Sequence, residues 1–204
     1  MDFKLLSGLL ATVFATTCFL PYIRDIVRRK TAPHIYSWLV WSILQTVGVI
    51  AMLSDNARFG VCGLAVGSVF CTAIFLSCLR YGTKNITKLD TLCLIGALSV
   101  IAFWVFQKNA FRSILLITCV DLMGFIPTMR KGYEQPWSET SSLYYLGTIS
   151  NIFSLLALSR YTPTTVLYLA SLIVTNVCCV IILATRRRQL MSKPRAVDSS
   201  RLSR

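Results

Sequence analysis

Acidic residues, histidine and paired cysteines are all scarce in this chain. Only 8 of its 204 residues are Asp or Glu, against 21 Lys and Arg, and there is 1 His. No paired carboxylates, histidine cluster or nucleophile next to a base can be found, which argues against an enzyme. The 8 cysteines contain no C-x-x-C pair, so the sequence predicts no metal site and no cofactor.

Charged residues are also missing from long stretches of the chain. Overall, 55% of the residues are apolar and 14% are charged, which is more apolar surface than a soluble domain of this length needs to bury. About 20 apolar residues suffice to cross the hydrocarbon core of a bilayer. We therefore predict an all-α, multi-pass membrane protein with seven transmembrane helices, at approximately residues 5–23, 35–53, 59–79, 91–106, 113–129, 141–158 and 164–185.

The positive charges lie between and after the apolar runs. They form no basic face interleaved with aromatics, so the net charge of +13 does not indicate a nucleic-acid partner. On this layout 16 of the 21 Lys and Arg residues lie on the side of the C-terminus. Because short basic loops stay cytoplasmic, we predict an outside N-terminus, a cytoplasmic C-terminus and, by preference, the cell membrane. The sequon at Asn85 would then be cytoplasmic, and no cleaved signal peptide is expected.

Two hexapeptides share one pattern, F-L-P-Y-I-R at 19–24 and F-I-P-T-M-R at 125–130, and their prolines lie 106 positions apart. The same offset superposes further residues of similar type without a gap, namely Trp38 on Tyr144, Ser42 on Thr148, Gln45 on Asn151 and Arg80 on Arg186. Several matches at one offset indicate a duplicated unit. A proline near a helix end removes a backbone donor, so Pro21 and Pro127 are predicted to be paired hinges.

The repeat also predicts the domain organisation. Residues 1–82 would form one triple-helix bundle, 83–108 a linker helix, 109–187 a second triple-helix bundle and 188–204 a basic, disordered cytoplasmic tail. One extra span between the units restores the orientation of the first, so the two bundles are expected to be parallel.

Aromatic and amide side chains recur on equivalent helical faces of the two units. Spacings of three, four and seven place Trp38, Trp41 and Gln45 on one face. The candidates on the matching face are Tyr144, Thr148 and Asn151. Such groups suit a cavity for a small polar solute, with amides to hydrogen-bond it and flat rings to stack on it. Alternatively, the amides bond only to neighbouring helices and the rings belong to an interfacial belt.

Asp121 is the one acid inside a predicted span. It lies nine positions from both Arg112 and Arg130, about 14 Å from either end and so near the bilayer midplane. A carboxyl there suits proton coupling or contact with a solute, or else a hydrogen bond across a helix interface. Asn176, in the last run, is a third candidate solute contact.

Two predictions concern packing and solvent. Gly60, Gly63 and Gly67 form a small-residue seam that lets helices approach closely. The lone histidine, His34, lies in a basic loop beside Pro33 and is expected to be solvated.

The F-[LI]-P-x-[IM]-R pattern, a basic loop and an aromatic-rich second helix in each unit resemble the PQ-loop and SWEET superfamily of membrane transporters, from about residue 5 to 188. Its PQ motif is degenerate here, because Tyr22 and Thr128 stand where the glutamine would be. The resemblance implies parallel triple-helix bundles with a linker helix, an outside N-terminus, alternating access to a central solute site and hinges at Pro21 and Pro127.

The same resemblance bears on the solute. SWEET-type carriers have asparagines on the third and seventh helices, where this chain has Phe70 and Asn176. Proton-driven amino-acid exporters of the superfamily use membrane acids, and Asp121 looks like that chemistry.

The sequence thus predicts a carrier of a small polar solute, of the sugar or amino-acid class, with proton coupling through Asp121 left open. Its expected partners are that solute and the lipid bilayer, and a homo-oligomer remains open. A receptor of the cargo-retrieval or signalling type is the alternative, since it shares the seven-helix architecture. The spans contain no arginine for a peptide carboxylate, and the last has no lysine for a Schiff base.

Overall fold

The computed structural model describes residues 3–54, 56–83, 86–105 and 110–192, and the regular secondary structure in these ranges is all helical. These ranges hold seven α-helices and two short 3-10 turns, Arg58–Val61 and Pro136–Ser138. The helices are α1 (Phe3–Val27), α2 (Ile35–Ser54), α3 (Cys62–Tyr81), α4 (Lys88–Val105), α5 (Ala110–Glu134), α6 (Ser141–Leu156) and α7 (Pro163–Met191). The prediction of an all-α protein is confirmed.

Four helices of the described residues are long and apolar enough to cross a membrane. They are α1, α2, α3 together with the turn before it, and α7. The other three are shorter or more polar: α6 has 16 residues, and α5 carries Asp121 and several basic side chains. The fold is thus consistent with a multi-pass membrane protein.

Local sequence signals account for two of the helix starts. Before α7, the Thr162 hydroxyl accepts a hydrogen bond from the Thr165 backbone N–H, the Thr165 hydroxyl accepts one from the Thr162 N–H, and Pro163 occupies the first turn. Before α4, Thr87 and Asp90 bond to each other's backbone in the same reciprocal way. Both arrangements satisfy amides that have no partner within the helix.

The helices pack in the same order in the two halves of the chain. In the first half α3 packs against both α1 and α2, and in the second half α7 packs against both α5 and α6. Between the halves, α1 packs against α6 and α2 packs against α5, while α4 lies against α5 and α2. Shifted by 106, the bounds of α1 become 109–133, one residue from those of α5.

The glycine seam before and within α3 brings the two halves into close contact. A Cβ at Gly60 would lie 2.5 Å from a Leu158 methyl, and a Cβ at Gly63 would lie 2.6 Å from the Ser154 hydroxyl. Only glycine leaves room for these approaches, so the predicted role of the seam is confirmed. Nearby, the Ser150 hydroxyl donates a 2.8 Å hydrogen bond to the Ala11 carbonyl and links α6 to α1.

Neither predicted hinge proline interrupts its helix. Pro21 lies six residues before the end of α1 and Pro127 seven residues before the end of α5. Each leaves the carbonyl four residues earlier without its usual donor. The two helices therefore carry the same local weak point at equivalent positions.

The last helix extends beyond its predicted end. The sequence predicts a tail from residue 188, yet α7 continues to Met191. The Arg187 guanidinium donates to the carbonyls of Pro136 and Glu139, and the Arg186 guanidinium donates to that of Tyr133. These contacts hold the end of α7 against the α5–α6 connection. Residues 193–204, like the sequon residue Asn85, lie outside the described residues.

Candidate functional site

A cavity of about 80 Å³ lies between the two halves of the chain. It has room for several water molecules, since one water needs roughly 10–15 Å³. Helices α1, α2 and α3 of the first half and α5, α6 and α7 of the second all contribute side chains to its wall. The cavity is thus built from both halves of the chain.

Seven of the eight predicted solute or proton contacts line this cavity, namely Trp38, Trp41, Gln45, Asp121, Tyr144, Asn151 and Asn176. Thr148 is not among the lining residues, and its hydroxyl donates a 2.8 Å hydrogen bond to the Tyr144 carbonyl one turn earlier in α6. The structure therefore brings together every predicted solute or proton contact except Thr148.

Several residues of the cavity wall are separated by the sequence offset of 106. Five pairs of lining residues are related by the offset of 106, namely Ala15 with Asp121, Phe19 with Phe125, Trp38 with Tyr144, Trp41 with Gly147 and Gln45 with Asn151. The pairs also show where the halves differ, because Asp121 corresponds to an alanine at 15 and Trp41 corresponds to a glycine at 147.

Four aromatic rings form a continuous chain along the wall. The ring centroids of Phe19 and Trp38 are 6.4 Å apart, those of Trp38 and Trp41 are 5.2 Å apart, and those of Trp41 and Phe125 are 4.8 Å apart. Edge-on and tilted contacts of this kind stabilise the rings in fixed orientations. This part of the wall is therefore aromatic, with its rings held at defined angles to one another.

The side-chain amide of Gln45 is held in place by contacts with α3. The Gln45 side chain donates a hydrogen bond of 3.2 Å from Nε2 to the Cys71 thiol on α3. Its oxygen lies against Gly67, where an added Cβ would collide with Oε1. Gly67 thus makes the space that the Gln45 amide occupies at the cavity.

Asp121 is the least satisfied polar group of the site. Its side chain is 1% exposed, and neither carboxyl oxygen has a hydrogen-bond partner among the described residues. The indole N–H of Trp41, on the same cavity, also lacks a partner there. Buried polar groups are nearly always paired in folded proteins, so unpaired ones lining a cavity indicate a place where water or a solute binds.

One end of the molecule carries the α1–α2 and α5–α6 connections with their Lys and Arg residues; this basic end contains a buried ion pair. Lys131 Nζ lies 2.7 Å from Glu139 Oε1, and it also donates to the carbonyl of Ala32 in the other half. The Tyr144 hydroxyl, at the cavity wall, donates a 3.0 Å hydrogen bond to Glu139 Oε2. One network therefore connects the cavity to the contact between the two halves.

A second cluster lies beside it, before α4. Asp90 Oδ2 is 3.2 Å from Arg130 Nη2 and 3.2 Å from His34 Nε2. Burial raises the pKa of the Asp90 carboxyl. The hydrogen bonds from Thr87 and the nearby His34 and Arg130 side chains lower this pKa by a larger amount, so it lies below its usual range.

The prediction for His34 is wrong. Its side chain is 2% exposed because the start of α4 and the end of α5 cover it. Burial lowers the pKa of His34 more than the nearby Asp90 carboxylate raises it. The histidine is thus buried instead of solvated, because elements distant in sequence cover it.

Sequence reasoning missed several wall residues, among them Phe19, Phe125, Ser150 and Cys71. Both phenylalanines belong to the repeated hexapeptides, so the repeat itself carried a signal for them. Ser150 and Cys71 had none, because a small side chain in an apolar run resembles ordinary helix packing. No group of three metal-ligating side chains occurs among the described residues.

No protein-family model, curated protein or solved structure matches this chain. Its function is therefore argued from the cavity and the helix packing.

Proposed function

We propose that this protein is a membrane transporter that moves a small polar solute by alternating access. The observation that carries the proposal is the central cavity, which takes amide and aromatic side chains from equivalent positions of both halves and one acid, Asp121, from the second. Carriers built from internal repeats place their solute site at the interface between the repeats. Sugars and amino acids are the solute classes that amides and flat rings suit.

The proposed architecture is two parallel triple-helix bundles joined by α4, seven spans in all, with the N-terminus outside. Equivalent packing of α3 and α7, each against the first and second helix of its own half, supports this arrangement. The excess of basic residues on the C-terminal side supports the orientation in the cell membrane. Pro21 and Pro127 would provide matching flexible points in α1 and α5.

The test is uptake by purified protein in liposomes. Labelled glucose, sucrose, alanine, lysine and choline would be offered in turn, with and without a pH gradient. Gln45→Ala and Asn151→Ala each remove one cavity amide, so we expect uptake of the transported solute to fall at least tenfold in both. Thr46→Ala is the control, since Thr46 is the next residue of α2 and is exposed.

Wild-type uptake by both amide variants would refute the cavity as the transport site. Saturable, Gln45-dependent binding without uptake of any solute would instead favour a receptor. Dependence of uptake on the pH gradient that disappears in Asp121→Asn would assign proton coupling to Asp121.

A further inference from the structure

The described part of the cavity wall contains one acidic side chain and no basic side chain. Asp121 is the one charged side chain among the described residues that line it, and no Lys, Arg or His joins it there. Its carboxyl oxygens have no hydrogen-bond donor within the described part of the chain. A carboxylate buried without a partner is strongly unfavourable, so such a group either takes up a proton or has a cation placed beside it.

The remainder of the wall suits an organic cation in particular. Phe19, Trp38, Trp41 and Phe125 form the connected aromatic chain, and Tyr144 lines the same cavity. Aromatic faces attract ammonium groups through their negative ring potential, most strongly where water is excluded. Divalent metal cations bind more weakly as the number of charged ligands falls, and this cavity holds a single carboxylate.

The same wall disfavours a solute that also carries a carboxylate. A zwitterion would place its negative group in a cavity that already holds Asp121 and has no basic partner for it. Like charges at close range in a low-dielectric site repel each other strongly. Trp41 Nε1 and the amides can serve a neutral hydroxyl instead, since their donors and acceptors carry no charge.

We propose that the cavity binds a small organic ammonium ion that carries no carboxylate, with the ammonium beside Asp121 and against the aromatic wall. This narrows the solute class of the proposed transporter and rests on that function for movement across the membrane. The binding of the ammonium ion depends only on the cavity and does not require that the protein be a transporter.

The test measures binding to the purified full chain in lipid nanodiscs by the fluorescence of its tryptophans, two of which line the cavity. Three probes of similar shape are compared. Choline carries the positive charge, its carbon analogue replaces trimethylammonium by a neutral tert-butyl group, and glycine betaine adds a carboxylate. We expect choline to bind at least tenfold more tightly than either of the others.

Variants test whether the Asp121 carboxylate causes the preference for choline. Asp121→Asn is expected to bind choline at least tenfold more weakly while its affinity for the neutral analogue stays within threefold, which also shows that the cavity is intact. Glu134→Gln makes the same chemical change on the same helix, outside the cavity, and should leave every affinity unchanged. Trp41→Leu should weaken the binding of choline. Trp41→Phe keeps an aromatic face and should weaken choline binding less.

Equal binding of choline and its neutral analogue, or equal binding of choline and betaine, would overturn the proposal. So would wild-type choline affinity in Asp121→Asn. Liposome uptake separates this inference from the transport function. Asp121-dependent choline binding without uptake upholds the ligand class and refutes transport. Uptake of a neutral solute without choline binding upholds transport and refutes the ligand class.

Discussion

Two ion pairs on neighbouring residues differ sharply in their surroundings. Lys131 and Glu139 are 10% and 4% exposed, and the lysine also donates to two backbone carbonyls. Arg130 and Glu134, one helical turn apart on α5, are 23% and 48% exposed. Water and salt weaken the second pair, whereas removal of one member of the first leaves a buried charge alone.

Lys131→Met is therefore expected to destabilise the protein by about 3–5 kcal/mol, because Glu139 loses its counter-charge in a buried site. Unfolding of the detergent-purified protein, followed by circular dichroism, measures this. Glu134→Gln is the matched control and should change stability by less than about 1 kcal/mol.

The double variant Lys131→Met, Glu139→Gln should recover part of the loss, since no unpaired charge remains. Stability of Lys131→Met equal to that of the wild type would show that the pair is solvated.

At the scale of the helices, the position of α3 against α2 is set by Gly67. The Gln45 amide occupies the space that any side chain at position 67 would need. Gly147 of α6 lines the same cavity, but an added Cβ there would meet Asn176 Nδ2 at 3.7 Å, an ordinary contact. Substitution by alanine would therefore cause a steric collision at Gly67 but not at Gly147, although both glycines line the same cavity.

We expect Gly67→Ala to push the Gln45 amide out of place. Overpacking of this kind typically costs about 1–3 kcal/mol, and solute uptake should fall as far as in Gln45→Ala. Gly147→Ala should keep or slightly raise the thermal stability, because alanine favours helix more than glycine does. Thermal unfolding and liposome uptake of both variants measure these effects, and unchanged uptake by Gly67→Ala would contradict the assignment.

At the scale of the whole molecule, the two halves meet at the basic end through hydrogen bonds between their loops. The hydroxyls of Thr31 and Thr140 lie 2.7 Å apart, and the Thr140 hydroxyl donates to Asp25 at 2.9 Å. In the proposed mechanism the halves separate at this end when the cavity opens there. A covalent bond between these positions would prevent that separation.

The pair Thr31→Cys with Thr140→Cys is placed to form a disulfide, since two sulfurs replace hydroxyls already in contact. The exposed native cysteines, Cys119 and Cys178, are first changed to serine. We expect oxidation to stop solute uptake by this variant in liposomes and a reductant to restore it. Either single cysteine variant is the control and should be insensitive to oxidation.

If the oxidised, cross-linked protein, verified by its mobility on a gel, transported at the wild-type rate, the two halves would not need to part at the basic end.

The sequence by itself determined the helical class, most helix positions and most of the candidate site. Apolar runs predict helices through their lack of charge, and the offset of 106 pairs Gln45 with Asn151 and Trp38 with Tyr144. Helix periodicity then predicted which of these residues share a face, because side chains three and four positions apart are neighbours.

Only the tertiary structure decided which faces meet. It buried His34 under α4 and α5, left Thr148 outside the cavity wall and joined Lys131 to Glu139. Packing between helices far apart in the chain depends on the shapes of both partners, as at Gly67 and Gln45, and no local pattern records those shapes. For the same reason the missing partner of Asp121, on which the inferred ligand class depends, becomes visible only when all six surrounding helices are in place.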